Sequence, residues 1–160
     1  TLRAEFSAAG AAALRTIDTD LDGNGQSSSD EIVAAGSADG EHYYLNQSGQ
    51  RFSSARDGID RRVVIESSGP VRACVRVDGF YTGPNGERIA KYRTRYHFYA
   101  GLPLVKIIDE LGFIGSTKQT RFADIGFAGL GVNPRDDGEA GGVDFEHGEI
   151  LGFADADEFG

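Results

Sequence analysis

Val71-Arg72-Ala73-Cys74-Val75-Arg76-Val77-Asp78 alternates apolar odd positions with mostly charged even ones. Lys91-Tyr92-Arg93-Thr94-Arg95-Tyr96-His97-Phe98-Tyr99 carries the same period with the parity reversed. A repeat of two residues marks a β-strand with one buried face. Between the two runs lies Thr82-Gly83-Pro84-Asn85-Gly86, a cluster of turn-forming residues, so they form an antiparallel hairpin. A turn centred between Pro84 and Asn85 sets Val77 opposite Tyr92, Val75 opposite Thr94 and Ala73 opposite Tyr96. Apolar side chains then meet on one face, and a slip of a single residue would mix the faces.

Outward from this hairpin, further strands are expected at residues 2–6, 43–46, 51–54, 62–67, 104–113, 120–127 and 143–153. Ser48-Gly49, Ser68-Gly69-Pro70 and Gly101-Leu102-Pro103 punctuate them. The best helical stretch, residues 7–14, is alanine-rich but short and interrupted by Gly10. Residues 131–142 read as a mobile surface loop. Many short strands with little helix indicate an all-β fold, an antiparallel β-sandwich formed by one domain over residues 1–160.

Composition limits the function. With 25 acidic and 16 basic residues the net charge is −9, which argues against general nucleic-acid binding. At 39% hydrophobic residues the chain can bury a core, and no apolar run is long enough for a membrane span. One cysteine, Cys74, excludes an internal disulfide framework. A chain starting at Thr1 with no methionine is expected to be a mature secreted protein or a piece of a longer one, in an extracellular setting.

Asp18-Thr19-Asp20-Leu21-Asp22-Gly23-Asn24-Gly25 matches the first half of an EF-hand-type calcium loop. Three carboxylates at alternate positions converge if the glycine at the sixth position bends the chain, and Ca²⁺ offsets their repulsion. The twelfth position is Ser29, with Asp30 and Glu31 one and two residues beyond it. The expected ligands are therefore Asp18, Asp20, Asp22, Asn24, Asp30 and Glu31, in a structural Ca²⁺ site without flanking helices. The alternative is a solvated acidic turn.

The hairpin gathers Arg72, Arg76, Lys91, Arg93, Arg95 and His97 on the face opposite the apolar one. Like charges side by side across a sheet are destabilising, so anions must compensate. Two readings stand. Glu66, Asp78, Asp109 and Glu110 supply internal ion pairs, or the face takes an acidic ligand such as a uronate-containing polysaccharide, whose carboxylates suit arginine. His42, His97 and His147 lack metal-ligand spacing and read as surface or partly buried residues. Cys74 has no identifiable base, and Asn46-Gln47-Ser48 fits a glycosylation sequon.

Glu66-Ser67-Ser68-Gly69-Pro70-Val71-Arg72-Ala73-Cys74-Val75-Arg76-Val77-Asp78-Gly79 resembles a stretch of the exo-rhamnogalacturonan lyase (YetA-like) family. So do Thr94-Arg95-Tyr96-His97-Phe98-Tyr99-Ala100-Gly101-Leu102-Pro103-Leu104-Val105-Lys106 and Arg121-Phe122-Ala123-Asp124-Ile125-Gly126. The resemblance covers about residues 40–130, with residues 1–6 as an opening strand, and leaves the aspartate loop outside it. It implies the central β-sandwich of a large enzyme that also has an N-terminal barrel-like domain and a C-terminal α/α-toroid.

The resulting expectation is a secreted carbohydrate-associated module that binds acidic glycans. Arg93 or Arg95 is placed to neutralise a uronate and His97 or Tyr99 to act as base, but nothing aligns them, so no catalytic residue is assigned. Lyase activity is expected only within a larger enzyme. The alternative is a Ca²⁺-stabilised structural or adhesive subunit, self-associating through open strand edges.

Overall fold

The computed structural model describes residues 2–20, 22–26, 28–58, 60–102, 104–114, 121–127 and 130–132. These form eleven strands and two single-turn 3₁₀ segments, Ser29–Glu31 and Ser54–Arg56. The smaller sheet holds β1 (Leu2–Phe6), β2 (Leu14–Thr19), β3 (Ile32–Gly36) and β11 (Leu130–Val132), in that order. The larger holds β4 (His42–Asn46), β5 (Arg51–Ser53), β6 (Arg62–Ser68), β7 (Arg72–Thr82), β8 (Arg88–Tyr99), β9 (Val105–Phe113) and β10 (Phe122–Phe127). Its path is β10-β4-β5-β7-β8-β9, with β6 also on β7, and every pairing in both sheets is antiparallel. The all-β sandwich expected from alternation is the observed fold.

The β7–β8 hairpin has its apolar face inward, but its register differs from expectation by two residues. Val77 faces Thr94, Val75 faces Tyr96 and Ala73 faces Phe98. Two one-residue shifts add. Gly83 N–H donates to the Glu87 carbonyl and Gly86 N–H to the Gly83 carbonyl, which centres the turn on Asn85. That shift alone would mix the faces. Past it, Tyr81 faces Ala90 while Thr82 faces Arg88, so Ile89 is an extra, bulged residue that restores the parity.

The inner face of β7 and β8 supplies Val77, Tyr81, Ala90, Tyr92 and Tyr96, all essentially inaccessible to solvent. Leu14, Ile17 and Ala34 of the smaller sheet, with Tyr44 and Phe52, complete the core. Phe6 meets Tyr96 edge-on at 5.0 Å between ring centroids, and His42 stacks on Tyr92 at 4.2 Å. His42 is thus fully buried, where a surface or partly buried place was expected of it. Its Nε2 lies 2.9 Å from Asp109 Oδ1 and 2.9 Å from Thr94 Oγ1, so one of the two ring nitrogens of this core histidine is answered.

Residues 7–14 form no helix. Gly10 has φ of +91°, and the carbonyls a helix would use internally are taken by arginines. Arg61 donates to Gly10 and Ala11 at 2.8 and 2.9 Å, and Arg15 donates to Ala9 at 2.8 Å. Leu14 instead opens β2, its N–H held by buried Glu41 at 2.7 Å. β2, β3 and β11 form where the alternation pattern predicts no strand. The strand at 51–54 ends at Ser53, that at 104–113 starts at Val105, and that at 120–127 starts at Phe122. The loop expected at 131–142 is strand at Gly131 and Val132; its remainder, and the strand expected at 143–153, fall outside the described residues.

Candidate functional site

Alternation along β7 and β8 turns Arg72, Arg76, Lys91, Arg93, Arg95 and His97 to the outer face of the larger sheet, as their cross-strand partners confirm: Arg76 faces Arg95, Asp78 faces Arg93 and Cys74 faces His97. The neighbouring strands add residues that the hairpin alone did not reveal. Lys106 faces His97, and Arg62 faces Asp78. Extending the same two-residue parity to β6 and β9 is the signal that finds them.

Internal compensation is extensive. Arg76 reaches Glu66 at 2.9 Å and Asp78 at 2.8 Å. Arg93 binds Asp78 at 2.8 Å, and Arg95 binds Glu66 at 2.9 Å and Glu110 at 2.5 Å. Three arginines and three carboxylates therefore form one continuous ladder across β6–β9. The hydrogen bond from Arg95, aided by Arg76, holds the Glu66 carboxyl below its usual range. Asp109 takes no part: it faces Thr94 on the inner side and receives the Thr94 hydroxyl at 2.6 Å, which corrects its expected place among the ion pairs.

The ladder leaves a positive remainder. Among the described residues, no carboxylate lies within ion-pair distance of Arg72, Lys91 or Lys106. His97 registers this: burial first, then Arg72, Lys106 and Arg95, push its pKa down. Arg62, Asp78, Phe80, Lys91 and Arg93 line an open depression of about 590 Å³ on this face. Arg88 lies over the Phe80 ring there, 4.3 Å from its centroid, and pairs with Asp60. The depression is thus lined by cationic side chains together with the carboxylates Asp60 and Asp78, with Arg88 covering the Phe80 ring.

Cys74 is inert in this setting. Its thiol is buried, and burial followed by the 3.6 Å contact with Glu66 raises its pKa. Asn46 of the sequon uses its side-chain oxygen to receive Ser48 N–H at 3.1 Å and Gln50 N–H at 2.8 Å, closing the β4–β5 turn.

The aspartate loop brings together only part of its expected ligand set. One carboxylate oxygen from each of Asp20, Asp22 and Glu31 lies within 4.8 Å of the others. Gly23 and Gly25, with φ of +73° and +74°, make the bends that allow this. Asp18 is instead buried within β2, paired in register with Arg3 and Ile32. Asn24 points its amide at Asp22, 2.7 Å away, and Asp30 accepts from Ser29 on the exposed side. Glu31 reaches the loop because the Ser28 N–H and hydroxyl hold its Oε2 at 2.9 and 3.0 Å.

Comparison with known proteins gives one family. The family described as PcRGLX-like protein central beta sandwich domain matches residues 1–133, so the kinship extends through β1–β3 and the aspartate loop and is not confined to residues 40–130. No curated protein and no solved structure matches the chain. The match spans most of the sequence, and the chain belongs to the PcRGLX-like family as the central β-sandwich domain of a rhamnogalacturonan lyase-like protein.

Proposed function

We propose that this domain is a glycan-contacting module of a secreted or cell-surface lyase-like protein. Its outer face holds an acidic polysaccharide while other parts of the parent protein perform the cleavage. The observation that carries this reading is the positive remainder of the outer face: among the described residues, no carboxylate pairs with Arg72, Lys91 or Lys106, which share that face with the arginine–carboxylate ladder. Arg93 and Arg95 are already committed to Asp78, Glu66 and Glu110, so they orient the face and are poor candidates for sole neutralisers of a uronate. That commitment argues for contact in place of catalysis. The test is retention on immobilised polygalacturonate against neutral galactan. Retention on the acidic polymer alone, lost in Arg72→Ala/Lys91→Ala/Lys106→Ala, supports the reading; equal passage through both columns refutes it.

A second reading is favoured by the convergence of Asp20, Asp22 and Glu31. Here Ca²⁺ braces the loop between β2 and β3 and stiffens the module as a structural unit of a larger assembly. Size-exclusion mass separates the two: a monomer fits the glycan-contact domain, and a large self-assembled species fits the structural subunit.

A further inference from the structure

The net charge of the chain is unevenly distributed. Residues 133–160 hold nine of the 25 acidic side chains and one of the 16 basic ones, so residues 1–132 are close to neutral and the last 28 residues carry nearly all of the −9. This acidic stretch lies beyond the family domain, which ends at residue 133. It mixes carboxylates with apolar residues, as in Val143-Asp144-Phe145-Glu146 and Glu149-Ile150-Leu151.

We propose that the acidic segment 134–160 docks on the outer face of the larger sheet, over Arg72, Lys91 and Lys106, and competes there with acidic glycan. The glycan half of this statement rests on the function proposed above; the docking half does not. Charge complementarity argues for it, since a polyanion and a face that keeps a positive remainder among the described residues belong to the same chain. Reach permits it: a strand at roughly 3.3 Å per residue lets 27 residues extend to about 90 Å, against a radius of gyration of roughly 14 Å for a domain this size. Ion pairs within one chain form at high effective concentration, so even individually weak pairs can hold the segment in place. The apolar residues of the segment then meet Ile108 and Val64, which the outer face leaves partly exposed.

Carbodiimide coupling of the full chain tests this, because it joins a lysine to a carboxylate only where they touch. Lys91, Lys106 and Lys118 are the lysines of the chain. Mapped at low salt, monomeric protein should show Lys91 or Lys106 joined to carboxylates between residues 136 and 158. The yield should fall about tenfold at 1 M salt, where the Debye length is ~3 Å. Coupling of these lysines to no residue of 134–160, or only in dimer-sized species, overturns the proposal. A second arm uses Asp144→Asn/Glu146→Gln/Glu149→Gln in the full chain, which should bind polygalacturonate several-fold more tightly than the wild type. Unchanged affinity overturns the competition. Failure of both proteins to bind refutes the glycan reading instead, while the cross-links still decide the docking.

Discussion

Arg76 on β7 and Arg95 on β8 are direct cross-strand neighbours, and Glu66 accepts a hydrogen bond from each at 2.9 Å. Two like charges side by side cost stability in a sheet, and Glu66 turns that cost into a bridge spanning three strands. Glu66→Gln removes the anion but keeps the shape. It is expected to lower stability by about 1 kcal/mol, a fall in Tm of roughly 2–4 °C for a chain of this size. Differential scanning calorimetry at pH 7 measures it; an unchanged Tm would mean that the ladder contributes nothing.

The same groups set an acid limit. Glu66 has its folded pKa lowered, so its contribution is present above the ordinary carboxylate range and disappears as pH falls through the lowered value. His97 is a base with its folded pKa lowered, so its contribution is complete above the ordinary imidazole pKa of about 6.5 and declines below it. Urea midpoints should therefore decline in two stages, first from about pH 6.5 downwards and again below about pH 4.5. His97→Gln should remove the first stage and Glu66→Gln should reduce the second. A single stage unaffected by either substitution would contradict this assignment.

Gly79 lies on the inner side of β7 where Asp57 and Tyr92 close on the strand. A methyl group there would overlap the Tyr92 hydroxyl and the Asp57 carboxylate, which accepts the Phe80 N–H at 2.7 Å. Gly79→Ala is expected to destabilise by about 1–3 kcal/mol through overpacking, read from the chemical-denaturation midpoint. Wild-type stability in this variant would show that β7 yields more readily than its packing indicates.

Arg61 is the buried residue on which the 7–13 segment depends. It donates to the carbonyls of Gly10, Ala11 and Ser54 and to the Tyr92 hydroxyl. Arg61→Met retains bulk but strands three carbonyls, and a loss of about 3 kcal/mol is expected. Hydrogen exchange at Ser7, whose N–H bonds the Ala13 carbonyl, should accelerate in step with the global loss or beyond it. Slower or equal exchange would contradict Arg61 as the tie.

Calcium binding predicts a rise in Tm with added Ca²⁺ that Asp20→Ala abolishes. At ~100-fold above Kd the stabilisation is about 2.7 kcal/mol. A melting curve unmoved by millimolar Ca²⁺ would leave the Asp20–Asp22–Glu31 group as a solvated turn.

The hairpin was legible because Tyr92, Thr94 and Tyr96 alternate with cations over a long uninterrupted run. Its register was not, because Ile89 looks like any β-branched strand residue and nothing local marks it as bulged. The start of β2 was hidden by the alanines that precede it and β3 by Ala34 and Ala35, residues that favour helix in isolation; here Gly36 lets β3 come close to Ala12 and Leu14. The buried places of His42, Glu41 and Arg61 depend on partners 7 to 67 residues distant, which no local pattern contains. Half of the aspartate loop was readable from spacing; Asp18 departs because β2 claims it for a sheet.

The most direct test of the central claim follows backbone amide shifts of the full chain, labelled with ¹⁵N, as an oligogalacturonide is added. Saturable shifts are expected at Arg72, Lys91, Lys106 and the rim of the depression near Arg62 and Phe80, with amides of β1–β3 still. Shifts confined to the smaller sheet, or none at millimolar sugar, would contradict an outer face built to hold acidic glycan.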